Sequence, residues 1–271
     1  MTRRPVAFAC DGSEMVGTLD LAAGRTGLLI VTGGNELRAG PWGSQAQIAE
    51  KVATAGFPTF RFDRRGVGDS AGDNAGFARS AADIAAAVAA FRAQVPTLER
   101  IVAFGNCDAA SALMLAGGAG LDALALANPW TFEPEPGAAP EVAKAPAQQT
   151  MPPSVLRRHY LRRLTDPRAI WRLLTGQVEL SKMASSLTEA AKSDGAPTPL
   201  AKQLADGLAR FTGPVTILLA ENDRTAQAFL ANWDKADPHL HMCPGASHSF
   251  IEPQARLWLL GQILAMLRSF N

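Results

Sequence analysis

The chain has 271 residues, of which 47% are hydrophobic and 19% are charged, and this composition is typical of a large globular domain rather than of a fibrous or disordered chain. Its formal net charge is +1 at pH 7, so we expect no nucleic-acid partner. The three cysteines, Cys10, Cys107 and Cys243, form no close pair, which favours neither a disulfide framework nor a metal site and fits a reducing, cytoplasmic setting.

The N-terminal apolar run is short. It covers residues 6–10 and stops at Asp11, which is too short for the core of a signal peptide. No other segment approaches the roughly 20 apolar residues that span a bilayer. We therefore predict no membrane span.

Eight short apolar runs predict eight strands. The first two, residues 6–9 and 15–19, alternate in polarity and predict an antiparallel hairpin. The others are nearly continuous apolar runs, as in parallel strands that are covered on both faces. These runs are residues 28–32, 58–62, 101–105, 122–127, 215–220 and 239–243.

Helical patterns separate most of the predicted strands. They cover residues 43–55, 80–94, 108–117, 225–233 and 253–270. The last pattern is amphipathic, because its leucines recur at helical spacing. Alternation of strands and helices predicts an α/β fold with a mostly parallel sheet and helices on both faces.

One long segment, residues 129–211, contains no convincing strand. Residues 133–153 are rich in proline, alanine and charge, and helical patterns follow over residues 154–175, 179–192 and 199–211. A structureless loop of this length is uncommon in a compact domain, and long insertions above a sheet often cover functional sites. We therefore predict a helical lid over residues 129–211, inserted into a core of residues 1–128 and 212–271.

The fifth apolar run ends in Gly105-Asn106-Cys107-Asp108-Ala109, where a helix is predicted to begin. A tight strand-to-helix turn that presents a nucleophile requires small residues two positions before and after it, and Gly105 and Ala109 meet this requirement. The helix N-terminus would then face the Cys107 sulfur. This segment alone is equally compatible with a small buried core cysteine.

A cysteine nucleophile needs a base and a group that orients the base. Asp223 follows one predicted strand and His248 follows the next. We expect His248 to take the proton of Cys107 and Asp223 to fix the tautomer of His248. The rival acid is Glu221, and the other histidines are His159, His239 and His241.

The order of nucleophile, acid and histidine resembles the α/β-hydrolase superfamily. Asp63-Arg64-Arg65-Gly66-Val67-Gly68-Asp69-Ser70 also resembles a loop of that superfamily, and we expect it to be structural, with Asp63 and Arg65 fixing the loop by charge-assisted hydrogen bonds. The superfamily position of Gly33-Gly34 predicts an oxyanion donor at the N–H of Asn35, with Gly34 as the second choice and the N–H of Asp108 as the other donor.

Several further residues are candidates for substrate contact. Glu36 and Arg38 follow the glycine pair. A carboxylate near the thiol could keep it protonated until substrate arrives, as in the dienelactone hydrolases, which also resemble this chain in having a cysteine elbow, whereas the plainer interpretation is a solvated loop pair. Arginines on the predicted lid, around Tyr160, favour an ordinary charged helix face, with selection of an anionic substrate as the sharper hypothesis. Trp130 opens the predicted lid and is a further candidate.

The finer resemblance is to the exosortase A system-associated hydrolases, of the type usually labelled hydrolase 1. It rests on six segments, which contain Arg38-Ala39-Gly40, residues 63–70, residues 105–109, Asn128-Pro129-Trp130, residues 158–164 and residues 222–226. The resemblance implies an esterase or thioesterase linked to exopolysaccharide metabolism, without metal or organic cofactor, acting on a small-molecule or acyl-carrier substrate. An acyltransferase or a catalytically silent binding module is the alternative.

Overall fold

A computed structural model of the chain describes residues 2–118, 120–132 and 197–270. Within these residues eight strands form one sheet in the order β1-β2-β4-β3-β5-β6-β7-β8. The strands are β1 (Thr2–Cys10), β2 (Ser13–Leu21), β3 (Thr26–Val31), β4 (Thr59–Phe62), β5 (Arg100–Asn106), β6 (Ala123–Ala127), β7 (Val215–Ala220) and β8 (Leu240–Cys243).

The sheet is antiparallel at one edge and parallel elsewhere. β1 pairs with β2 and β2 with β4 in antiparallel register, and every further pair from β4 to β8 is parallel. The predicted hairpin and parallel strands are therefore confirmed. β1 and β2 are longer than their apolar cores, because their ladder continues from Cys10 opposite Ser13 to Thr2 opposite Leu21.

The described helices are α1 (Ser44–Thr54), α2 (Ala81–Gln94), α3 (Asp108–Leu115), α4 (Pro199–Ala209), α5 (Arg224–Ala231) and α6 (Pro253–Arg268). α3 ends earlier than the pattern predicts. Gly117 and Gly118 adopt φ of +60° and +61°, a left-handed conformation that stops a helix.

Two hydrophobic clusters lie on opposite faces of the sheet. On one face, Phe60 packs with Phe91 of α2 and Leu113 of α3. On the other face, Ile30 packs with Val52 of α1 and Ile263 of α6. Helices on both faces leave the carboxyl edge of the parallel strands open for a site.

The described ends of the predicted insertion pack on the first of these clusters. Trp130 and Phe132 precede the gap in the described residues, and Leu200 and Leu204 of α4 follow it. A Cβ at Gly207 would collide with the carbonyl of Met114, so α4 approaches α3 closely. The helical patterns at residues 154–175 and 179–192, and Tyr160, lie outside the described residues.

Across residues 2–118, 120–132 and 197–270, each helix is too short or too polar to cross a bilayer. In those ranges no three His, Cys, Asp or Glu side chains converge as metal ligands would.

Candidate active site

Cys107 lies between β5 and α3 in a strained backbone conformation. Its φ is 63° and its ψ is −128°, a region that costs a non-glycine residue on the order of 1–3 kcal/mol. A Cβ at Gly105 would lie 2.8 Å from the carbonyl carbon of Ala109 and 2.9 Å from the amide nitrogen of Ala110. The turn therefore needs glycine at 105, and the elbow predicted from the sequence is present.

The surroundings of Cys107 hold its thiol in the protonated form. Burial raises the pKa of the thiol well above its ordinary value, and the negative charge of Asp108 acts in the same direction. The backbone N–H of Asp108 donates to the sulfur and opposes this rise, while Asp223 and Glu36 add to it. Formation of a thiolate at this position therefore requires a base that removes the proton.

His248 and Asp223 lie together, as the sequence predicts. Nδ1 of His248 is 2.9 Å from Oδ2 of Asp223. Burial opposes the charge on the imidazole, but the contact with Asp223 and the charges of Glu36 and Asp108 outweigh burial, so the pKa of His248 is raised. These negative groups thus favour the protonated imidazolium of His248.

Two asparagines that the sequence analysis did not single out hold the loop of His248. Nδ2 of Asn106 and Nδ2 of Asn128 donate to the carbonyl of His248 at 3.2 and 3.0 Å. Asn128 is fully buried and accepts from the N–H of Ala220 at 2.8 Å. In the sequence, each of these asparagines is a polar residue at the carboxyl end of an apolar strand, and the two strands, β5 and β6, are neighbours in the sheet. This pattern could have identified both as site residues.

The glycine loop after β3 lies against the elbow. The N–H of Gly34 donates to Oδ1 of Asp108 at 2.7 Å, and the Gly34 carbonyl accepts from the guanidinium of Arg64. A Cβ at Gly33 would collide with the Asp108 carboxylate. Of the two predicted loop donors, Gly34 is therefore already bound to a carboxylate. Asn35 accepts a side-chain hydrogen bond from Asn74 at 2.7 Å.

Glu36 and Arg38 do not form the loop pair that the sequence suggests. The guanidinium of Arg38 pairs with Asp63 and, at 2.8 Å, with Asp69, because β4 places the Asp63 loop beside β3. The Arg38 N–H also donates to Asp63 at 2.6 Å, so Arg38 is a structural anchor of the loop.

Half-buried Glu36 faces the site instead. Burial raises its pKa, the positive charge of His248 lowers it, and Asp108 and Arg64 act in opposite directions with smaller effects. Glu36 therefore belongs to the electrostatic environment of His248.

The loop over residues 63–70 is structural, as predicted, although its two charged residues have separate partners. Asp63 binds Arg38, while Nε of Arg65 donates to Asp83 at 2.6 Å. Both contacts fix the loop beside β3.

Trp130 is buried rather than placed at a substrate surface. Its Nε1 donates to the carbonyl of Phe132 at 3.0 Å, and the two rings pack edge to face with centroids 4.8 Å apart. Its N–H binds the hydroxyl of Ser111 in α3 at 2.8 Å. Trp130 thus packs against α3, the helix that follows the elbow, and is bound to it through Ser111.

Solved structures share this architecture at low sequence identity. The alpha/beta hydrolase GrgF from Penicillium sp. sh18 is 17% identical over 99% of both chains, with a TM-score of 0.61. The Pyrococcus furiosus esterase Pf2001 is 12% identical over 99% of this chain and 91% of its own, also with a TM-score of 0.61. Est1E from Butyrivibrio proteoclasticus is 16% identical over 98% of this chain and 99% of its own, with a TM-score of 0.55.

At these identities the likeness shows the fold. Curated proteins give no match to this chain. The profile of the Alpha/beta hydrolase family, in contrast, matches residues 28–258, which are most of the sequence and include the elbow, Asp223 and His248. The chain therefore belongs to the alpha/beta hydrolase family and is a hydrolase.

Proposed function

We propose that the protein hydrolyses a carboxylic ester or thioester through an acyl-cysteine intermediate, with Cys107 as nucleophile, His248 as base and Asp223 as the orienting acid. The observation that carries this proposal is the 2.9 Å contact between His248 and Asp223 in the same site as the strained Cys107 elbow. Strain at a single residue persists where the surrounding structure enforces it, which is typical of nucleophile turns.

In the first half-reaction the Cys107 sulfur attacks the acyl carbon while Nε2 of His248 takes the thiol proton. The backbone N–H groups of Asp108 and Asn35 would stabilise the oxyanion of the tetrahedral intermediate. Its collapse breaks the bond to the leaving oxygen or sulfur, which receives the proton from His248. In the second half-reaction water attacks the acyl-cysteine, His248 takes a proton from that water, and Cys107 leaves as the thiol.

The raised pKa of Cys107 supports a general-base mechanism over a preformed thiolate. Esters and thioesters are favoured over amides, because alcohols and thiols leave a tetrahedral intermediate more readily than amines do. The expectation of a small-molecule or acyl-carrier substrate and of a role in exopolysaccharide metabolism rests on the resemblance to the exosortase A system-associated hydrolases. The expectation of a cytoplasmic setting rests on the three cysteines, which form no close pair in the sequence.

The test is intact-mass analysis during incubation with short p-nitrophenyl esters and acyl thioesters. We expect a transient acyl adduct in the wild type and in Cys10→Ala and Cys243→Ala, the two matched controls, and none in Cys107→Ala. His248→Ala should slow formation of the adduct. Absence of both adduct and turnover would refute the proposal in favour of a binding module, and transfer of the acyl group to added alcohols or amines in preference to water would identify an acyltransferase.

A further inference from the structure

Asp108 and Arg64 form an ion pair that binds both backbone polar groups of Gly34, its N–H and its carbonyl. Oδ1 of Asp108 accepts the N–H of Gly34 at 2.7 Å, and Nη2 of Arg64 donates to the Gly34 carbonyl. The same Nη2 lies 3.6 Å from Oδ2 of Asp108. Asp108, Arg64 and Gly34 therefore form a closed set of contacts, which we call the Gly34 clamp.

Both charged members of the Gly34 clamp are buried and anchored. Arg64 is 2% exposed and Asp108 is 5% exposed. Nη1 of Arg64 donates to the hydroxyl of Ser80 at 3.1 Å, and Asp108 is the first residue of α3, directly after Cys107. Burial of an ion pair is weak evidence for stability, because desolvation offsets the attraction, so its geometry is the more informative property.

The clamp also sets the direction of the next backbone N–H. The Gly34 carbonyl and the Asn35 N–H belong to the same planar trans peptide and point in opposite directions. A carbonyl fixed towards Arg64 therefore fixes the Asn35 N–H away from Arg64. The N–H of Gly34 already donates to Asp108. We therefore assign the oxyanion donor of this loop to Asn35.

The local turn does not by itself provide this alignment. The Glu36 N–H binds the Gly33 carbonyl at 3.0 Å, which closes the turn but ties it to nothing outside the loop. Gly34 is exposed, has φ of +54°, and has no heavy atom near the position of a Cβ. Contacts to the elbow are needed to hold such a residue in one place relative to Cys107.

We propose that Asp108 and Arg64 are positioning residues that lock the oxyanion loop to the nucleophile elbow through the Gly34 peptides. This inference rests on the proposed hydrolase function, because it assigns the locked N–H to the stabilisation of an oxyanion. A donor aligned with the transition state contributes mainly to kcat, whereas a ground-state carbonyl gains little from it.

Four variants test the clamp: Asp108→Ala, Asp108→Asn, Arg64→Met and the double variant Asp108→Ala/Arg64→Met. Loss of a whole oxyanion donor costs about 10²–10³ in kcat, so we expect a misaligned donor to cost about 10–100-fold, with KM changed less than about threefold. Asp108→Asn keeps an acceptor for the Gly34 N–H and should recover part of the loss. The kcat of the double variant should be no lower than that of the less active single variant, since each single substitution already removes the same alignment.

The matched control is Asp122→Asn. Asp122 is a carboxylate that also accepts a backbone N–H and a guanidinium, those of Ile101 and Arg100, both at 2.8 Å. It lies beside the amino end of β5, at the opposite end of that strand from the elbow, and it has no contact with Gly34 or Arg64 in the described hydrogen bonds. Its substitution should leave kcat within about twofold of the wild type. A loss of kcat equal to that of Asp108→Ala would assign the effect to general loosening and overturn the clamp.

The second readout is hydrogen–deuterium exchange of a peptide that covers residues 33–38, measured on each folded variant. Exchange should be faster in Asp108→Ala and Arg64→Met and unchanged in Asp122→Asn. If kcat falls without faster exchange, Asp108 acts through its charge and the clamp is refuted. If the wild type has no acyl-enzyme and no turnover, the proposed function fails, while unchanged exchange in the clamp variants would refute the clamp separately. Arg64→Met and Asp108→Asn carry the test if Asp108→Ala does not fold.

Discussion

Asp223 serves two purposes that substitution can separate. Its Oδ1 accepts the N–H of Thr225 at 3.2 Å, and its Oδ2 accepts the N–H of Ala226 at 3.0 Å. These bonds cap the N-terminus of α5. Oδ2 also lies 2.9 Å from Nδ1 of His248. One carboxylate thus caps a helix and contacts the imidazole that we propose as the base.

Asparagine in place of Asp223 can keep only some of these three contacts. Its single oxygen can remain towards Thr225 or turn towards Ala226 and His248, and in either case the negative charge beside the imidazole is lost. Asparagine and aspartate are similar as N-caps, so Asp223→Asn should cost less than about 1 kcal/mol of the free energy of unfolding. Its kcat/KM should fall by about 10²–10⁴, because His248 loses its charged partner or its productive tautomer.

Asp223→Ala should lose the cap as well, at about 1–2 kcal/mol, with a similar fall in kcat/KM. Urea unfolding and steady-state hydrolysis of a p-nitrophenyl ester measure the two effects. Glu221→Gln is the control, because Glu221 accepts the N–H of Gly245 at 3.0 Å in the same loop region. Should Asp223→Asn keep normal kcat/KM, or Glu221→Gln lose as much, Asp223 would not be the orienting acid.

The remaining predictions concern the pKa of His248, the reactivity of Cys107 and the packing of Leu204. Because the pKa of His248 is raised, kcat/KM should increase with pH through a value above about 6.5, and Glu36→Gln should move this limb to lower pH. By linkage, the stabilisation from charged His248 is complete below about pH 6.5 and is lost as pH rises through the folded-state value, which pH-dependent urea unfolding measures. Iodoacetamide should alkylate Cys107 more slowly at pH 7 than it alkylates a free model thiol, and a rate equal to that of the model would contradict the raised pKa. Leu204→Ala should cost about 2–5 kcal/mol in unfolding, because Leu204 is fully buried against the main core, whereas exposed Gln203→Ala should change stability by less than about 0.5 kcal/mol.

The strands and the elbow were predictable because their causes are local. A parallel strand that is buried on both faces must be apolar, as residues 101–105 are, and a tight turn must have glycine where Gly105 lies. The pairing of Asp223 with His248 was predictable because parallel strands end at a common edge of the sheet.

Contacts between distant segments could not be predicted in the same way. Arg38 lies two residues from Glu36 in sequence, yet it pairs with Asp63, because the pairing of β3 with β4 brings that loop closer. Trp130 follows a strand and resembles an exposed lid residue, but a hydrogen bond to Ser111 ties its backbone to α3. The partners of Arg64 likewise come from three other segments, at Gly34, Ser80 and Asp108, and its charge alone does not identify them.

The electrostatics of the site connect these distant contacts with the proton transfer that we propose from Cys107 to His248. Apart from burial, Asp108 acts most strongly on Cys107, followed by Asp223 and Glu36, whereas on His248 the order is Asp223, Glu36 and Asp108. A rise in the thiol pKa makes transfer of its proton harder, and a rise in the imidazole pKa makes it easier, by about 1.4 kcal/mol per pKa unit in either case. The same carboxylates thus disfavour the thiolate and favour the imidazolium, and their influences on the transfer partly cancel.

Asp108 has the larger effect on the thiol pKa, and Asp223 has the larger effect on the imidazole pKa. The net effect on the free energy of the transfer therefore depends on where the elbow holds Asp108 and where Asp223 lies relative to the His248 loop. Asn106 and Asn128, which bind the His248 carbonyl, and Arg64, which pairs with Asp108, are therefore part of the chemistry of the site through the positions they enforce.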